Sequence, residues 1–287
     1  MQKLQRRRKQ GRKFSDHRKL LFRYRDLMYV KKLVQDFSVV KNIYLNPRHF
    51  ILELSAPGTL PEILPGQFVD ILVENSPATF LRRPFSIYAV NKDQNIIRLL
   101  VQVRGEGTKK LGQLRENDKI NLIYPLGKPF SIPEDDNVLL VGGGVGIAPL
   151  MFLSQHLNSL GMRPDILIGS RTAEDLFEMD LFRHQCRNVF VTTEDGSEGE
   201  TGFVIHHSIF SNDPFRYRKI YCCGPDPMMH AVAKLAEKLG AECEVSLENF
   251  MACGFGVCLC CITPTIYGNQ RSCIEGPVFN TKILRWD

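Results

Sequence analysis

Residues 1–185 of this 287-residue chain contain no cysteine, and all nine cysteines fall between Cys186 and Cys273. Small secreted scaffolds are stapled by cysteines spread along the chain, so this distribution argues against that class. It fits a reducing compartment with one local metal site. A secretory segment is also missing, because the apolar run LLF at 20–22 is too short to be one. The uncharged stretch at 137–153 is too short and too rich in glycine to cross a bilayer. No internal repeat or low-complexity segment follows residue 25, and no Ser-His-Asp set or paired-carboxylate site stands out.

Charge is lacking on one side only. Residues 1–25 hold eleven Lys or Arg against the single acid Asp16, whereas the rest of the chain carries a net charge of −4. A run such as RRRKQGRK at 6–13 is of the kind that binds nucleic acid or an anionic membrane. No aromatic stacking platform is interleaved with it, so residues 1–28 are expected to be a disordered basic extension with neither nucleic acid nor membrane as partner. A transit peptide would be rich in serine, and only Ser15 is present. Met28 opens MYVKKLVQDFSVVKN, which reads as a natural domain start, and the expected location is the cytoplasm. The 44% hydrophobic and 24% charged content suffices for sizeable cores, and the length suits two domains with a small appendage.

Two periodicities follow each other. Over 29–132, the short apolar runs FILEL, QFVDILV, FSIYAV and IIRLLVQV are separated by the turn signals PG, NKDQN and GEG. Short strands without long helical patterns predict a small antiparallel β-barrel. Over 133–243, the apolar run NVLLV and later strand-like runs alternate with helical patterns at 149–161 and 228–240, each stopped by glycine. That alternation predicts an open parallel α/β sheet. Residues 244–287 form a short third domain that carries most of the cysteines.

Within that third domain, Cys253, Cys258, Cys261 and Cys273 stand as C-x4-C-x2-C followed by a cysteine after eleven residues. A compact trio with a distal fourth thiolate is the spacing of a plant-type [2Fe–2S] centre. Structural zinc is the competing reading, although zinc favours paired C-x2-C knuckles and only Cys258 and Cys261 make one. Gly254 and Gly256 would let the loop wrap closely around a cluster, and Cys260 falls out of register as a bystander.

Other motifs point to phosphates and flavin. GGGVGIAPL at 142–150 follows a strand and opens a helix, which suits a bound pyrophosphate. Arg83 and Ser86 in LRRPFSI have the chemistry to meet a phosphate and a flavin ring, and Gly107 and Thr108 in GEGT that to hold a pyrophosphate.

In order along the chain, Arg83-Pro84-Phe85-Ser86, Gly105-x-Gly107-Thr108, the glycine turn and Cys223-Gly224-Pro225 resemble the ferredoxin–NADP reductase-like flavoproteins. With SLENFMACGFGVC and CIEGPVF added, residues 29–287 resemble the iron–sulfur electron transfer subunits of NAD-dependent dihydroorotate dehydrogenases. The resemblance implies FAD held by Arg83, Pro84, Phe85, Ser86, Leu100, Val101, Gln102, Gly107 and Thr108. It implies NAD over Gly142, Gly143, Gly144, Gly146, Gly224 and Pro225, with Cys223 near the nicotinamide. The cluster would be held by Cys253, Cys258, Cys261 and Cys273. It further implies an oxidoreductase subunit of pyrimidine biosynthesis, relaying electrons from a catalytic FMN subunit through [2Fe–2S] and FAD to NAD+ in a heterotetramer of two copies of each chain. Rivals are a related NAD(P)H-dependent reductase of ferredoxin, sulfide-handling or oxygenase type and a zinc-containing nucleic-acid-binding module. Arg171 would suit a 2′-phosphate, while Glu174 and Asp175 favour NAD.

Overall fold

The computed structural model describes residues 31–212 and 214–286, so the expected extension over 1–28 lies outside the described residues. Six antiparallel strands come first: β1 (Leu33–Asn46), β2 (His49–Ser55), β3 (Phe68–Ile71), β4 (Arg83–Asn91), β5 (Ile96–Gln102) and β6 (Lys119–Leu126). They close into a barrel in the order β1-β2-β5-β4-β3-β6. Closure leaves no unpaired edge. Its interior is apolar, with Phe37, Phe50, Leu52, Leu54, Leu99 and Leu122 without exposure. Each such side chain contributes about 1.5–3 kcal/mol by leaving water.

Not every strand is two-faced. In β2 six consecutive residues, His49–Leu54, are buried because the barrel covers one side and the next domain the other. Between β5 and β6 the chain forms a short helix, α1 (Glu106–Gly112), where the GEG signal predicts only a turn. Seven residues are too few for a helical period to show.

The second layer is a seven-stranded sheet. Its strands are β7 (Val138–Gly143), β8 (Asp165–Ser170), β9 (Val189–Thr193), β10 (Glu200–Thr201), β11 (Lys219–Cys223) and β12 (Glu242–Ser246), all parallel. The central β7 and β11 are buried throughout, which explains the apolar runs at 138–141 and 220–223. Helix α2 (Ile147–Ser159) packs with Leu140, Ile166 and Tyr221, whereas α4 (Asp226–Lys238), following α3 (Met179–Gln185), packs with Leu139, Leu167 and Ile220. Alternate residues of the same strands thus face opposite helical layers.

The last segment contains the hairpin β13 (Ile262–Thr265) and β14 (Gly268–Arg271), then β15 (Val278–Asn280). β15 pairs antiparallel with β12 and completes the sheet. The cysteine-bearing segment therefore leaves the nucleotide-type sheet and returns to it. It also shares a small core with the barrel, in which Met251, Cys261 and Cys273 pack with Phe68, Ile123 and Leu126. Among the described residues no helix is long and apolar enough to cross a membrane.

Candidate functional site

A cavity of about 910 Å³ opens between the barrel and the carboxyl ends of the parallel strands. Such crevices are where open α/β sheets bind their ligands. Gly143, Gly144, Gly224 and Pro225 line it, as does Gln102 from the barrel. The other glycines of the turn have packing roles. A Cβ on Gly142 would meet Ile147 and Leu150, and one on Gly146 would collide with the backbone of Cys223 and Gly224. Gly146 is thus what lets the start of α2 lie directly on the β11 turn.

Cys223 itself is buried, with its thiol pushed well up by burial and by the nearby Glu248 carboxylate, against a hydrogen bond with Ser246. It is not among the residues that line the cavity, although the next residue, Gly224, is.

Several cleft residues escape sequence reasoning, among them the partners of the acids Glu174 and Asp175 that it does single out. Arg48 donates to both carboxylate oxygens of Asp175 (2.8 and 3.1 Å) and ties the barrel to the loop after β8. Asn46 donates to the Glu174 carbonyl at 3.3 Å, and Tyr88 donates to Glu178 at 2.8 Å across the same junction. Asp175 is therefore engaged with Arg48, while Arg171 lines the cavity beside it. His49 is buried against Phe177, and that burial lowers its pKa. Glu248 borders the cavity yet is crowded by protein, which pushes its carboxyl up against the pull of Arg104. No local motif announces Asn46, Arg48, His49 or Tyr88, because their meaning lies in contacts with residues far along the chain, such as the 90 positions from Tyr88 to Glu178 and the 127 from Arg48 to Asp175.

The residues expected at a flavin lie on the adjacent barrel strands β4 and β5 and on helix α1. Arg83, Pro84, Phe85 and Ser86 open β4 and are all half-buried. Arg83 donates to the carbonyls of Leu81 (3.0 Å) and Arg82 (3.2 Å). Leu100 and Val101 bury their side chains in different cores, so only their backbone can face a ligand, whereas Gln102 reaches the cleft. Gly107 is buried against Thr79, and the Thr108 hydroxyl accepts from the N–H groups of Arg104 (2.8 Å) and Gly105 (3.1 Å). Thr108 thus fixes the turn that opens α1.

The cysteine loop follows β12. Cys261 and Cys273 are buried, Cys253 is half-buried, and Cys258 and Cys260 are exposed. The thiols lie as two neighbouring pairs, Cys253 with Cys258 and Cys261 with Cys273. Burial raises the Cys253 pKa, but the backbone N–H groups of Cys258, Phe255 and Val257 outweigh it and bring the thiol down to about 6. Burial and the adjoining Cys261 push Cys273 up to about 12. Arg271 donates to the Gly256 carbonyl at 2.9 Å while pairing with Glu275 at 2.6 Å, which braces the loop. Lys32 lies within electrostatic reach of Cys253 and Cys273.

Among the described residues, no group of three or more His, Cys, Asp or Glu side chains is gathered tightly enough to hold a metal ion. The donor chemistry nevertheless fits iron. Soft thiolates, backbone N–H groups aimed at sulfur and a glycine at positive φ (Gly254, +69°) are what an iron–sulfur loop requires. Against this loop lies Asp70 of β3, 1% exposed and with neither carboxylate oxygen hydrogen-bonded. Burial pushes its carboxyl up to about 6, against the pull of Arg82 and with a further rise from Cys253.

Comparison with known proteins divides the chain in the same sense. Residues 36–130 match the model of an oxidoreductase FAD-binding domain, and residues 140–234 that of an oxidoreductase NAD-binding domain. Residues 248–285 match the iron–sulfur cluster binding domain of dihydroorotate dehydrogenase B. The chain is 32% identical over 259 residues to the dihydroorotate dehydrogenase B (NAD+) electron transfer subunit of Desulforamulus reducens, covering 88% of this chain and 99% of that one. With the corresponding subunit of Caldanaerobacter subterraneus it shares 38% identity over 219 residues, covering 75% and 84%. A solved NADH-dependent reduced ferredoxin–NADP oxidoreductase, studied for flavin-based electron bifurcation, superposes with a TM-score of 0.78 at 30% identity, covering 87% of this chain and 90% of that one. The ferredoxin reductase of carbazole 1,9a-dioxygenase shares the fold at 20% identity and a TM-score of 0.64, covering 74% and 68%.

Proposed function

The chain belongs to the family of dihydroorotate dehydrogenase B electron transfer subunits, and from that premise we propose that it carries electrons from a catalytic FMN subunit to NAD+ in pyrimidine biosynthesis. The observation that carries this reading is the four-cysteine loop seated on the flavin-type barrel, with the nucleotide-type cleft opening beside it. When bound, FAD would join the one-electron chemistry of a [2Fe–2S] centre to the two-electron chemistry of nicotinamide.

The chain's own residues would hold and orient these groups. Cys253, Cys258, Cys261 and Cys273 would ligate the iron. Arg83 to Ser86, the backbone of Leu100 and Val101, Gln102, Gly107 and Thr108 would cradle FAD. Gly142, Gly143, Gly144, Gly146, Gly224 and Pro225 would form the floor for the dinucleotide, with Cys223 beneath the nicotinamide. Arg48 and Asp175 would hold the two domains at a fixed angle around the cleft.

Support for a protein partner comes from the cysteine segment, which leaves Phe250, Phe255, Val257, Leu259 and Tyr267 exposed. Apolar side chains of that size in one short segment suit a docking surface. We assign the partner as the catalytic FMN subunit, in a heterotetramer of two copies of each chain. The cysteine distribution supports a cytoplasmic setting.

The test is NADH formation from dihydroorotate and NAD+ by this chain co-purified with the catalytic subunit. Activity is expected to require both chains and to be lost in Cys258→Ser. A second reading, reduction or oxidation of a ferredoxin, is favoured by the 30% identity to the ferredoxin–NADP oxidoreductase. Exchange with ferredoxin, with no response to dihydroorotate in an iron- and FAD-loaded complex, would select it. Stoichiometric zinc without labile sulfide would instead support the nucleic-acid-binding module.

A further inference from the structure

We propose that Asp70 sets the reduction potential of the cluster carried by Cys253, Cys258, Cys261 and Cys273, as a positioning residue on the barrel strand between that loop and the flavin-type residues. The inference rests on the iron–sulfur reading above.

A carboxyl that is 1% exposed and has neither oxygen hydrogen-bonded is costly to bury. Its strand neighbours Phe68, Val69 and Ile71 are apolar and buried, so packing alone would favour an apolar residue at this position. The carboxyl is aimed at the cysteine loop: a Cβ on Gly254 would stand 2.8 Å from its Oδ2. Gly254 directly follows the ligand Cys253, and its φ of +69° brings the loop backbone down onto the carboxyl.

The strand also faces the other way along the relay. In the β3–β4 ladder Asp70 stands opposite Pro84, and Ile71 opposite Arg83. One position therefore touches the cluster loop and the strand expected to carry the flavin.

Reduction adds one electron to the cluster and changes no bond at Asp70. A carboxylate held against the loop in a medium of low polarity disfavours that added negative charge and lowers the potential. The neighbouring cations Lys32 and Arg271 act in the opposite direction from the thiol side, and Arg82 and Arg83 do so from the barrel side. Asp70 is the buried anion set against them.

The experiment is a redox titration of the full-length, cofactor-loaded protein, followed by the electron paramagnetic resonance of the reduced cluster. Iron and labile sulfide are measured first in the wild type, and their absence would remove the cluster reading itself. With the cluster present, Asp70→Asn is expected to raise the reduced-to-oxidised ratio at fixed potential by about tenfold. That corresponds to an upward shift of about 59 mV for a one-electron couple. Asp70→Leu should shift it in the same direction, and Asp70→Glu should restore a value near the wild type. A wild-type midpoint in a loaded Asn or Leu variant, or failure of both to load the cluster, overturns the proposal.

Discussion

Strands β11 and β12 and the loop that follows them carry the same side chain in opposite surroundings. Cys222 and Cys243 lie inside the sheet, where burial drives their thiols up, to about 12 for Cys243. Cys253, ten residues beyond Cys243, is held at about 6 because three backbone N–H groups point at its sulfur. The difference teaches that cysteine chemistry is set by the supply of donors and the loss of water, not by the residue type. In the strands the backbone donors are spent on the ladder; in the loop they are free to turn toward sulfur.

The sharpest break of the comparison is Cys253→Ser, expected to abolish the visible iron–sulfur absorption and with it electron delivery to NAD+, as spectroscopy and NADH formation will register. Next is the reactivity of the metal-stripped chain toward iodoacetamide, read by peptide mass spectrometry. Near neutral pH Cys253 should be modified faster than Cys222 or Cys243 by roughly two orders of magnitude or more. Because the thiolate is the reactive form and its pKa is lowered, the Cys253 rate should climb with pH through about 6 and level off above it. The strand cysteines should stay protected until the chain is unfolded.

A smaller effect is expected from Cys243→Ser, which places a hydroxyl in an apolar core. It should cost about 1–3 kcal/mol in denaturant titration while leaving the cluster absorption intact. Smallest of all is Cys260→Ser, an exposed neighbour of the proposed ligands, whose effect on stability should stay within about 0.5 kcal/mol and on absorption near zero. A bleached Cys260→Ser protein would overturn the ligand assignment.

The same contrast explains what was legible in the sequence. The cysteine spacing, the glycine turn at 142–146 and the change from barrel to α/β pattern are local, because each encodes its chemistry within a dozen residues. Leu100 and Val101 show where alternation misleads: β5 is covered on both sides, so both side chains point into cores. The Arg48–Asp175 pair spans 127 positions, and nothing near either residue signals it. Asp70 within FVDI reads as the polar residue of a half-exposed strand. Only the return of the distant loop onto β3 makes it a buried carboxyl.

The pairing of β15 with β12 means that the cysteine segment is sewn into one sheet at both its ends, with a third seam at the barrel through Met251 and Ile274. A redox module appended by a single tether must swing between donor and acceptor, and solvent friction then sets its pace. This one is a fixed wire: electron passage between loop and barrel should run at the same rate in buffer and in concentrated glycerol, leaving only the encounter with the partner chain to slow with viscosity.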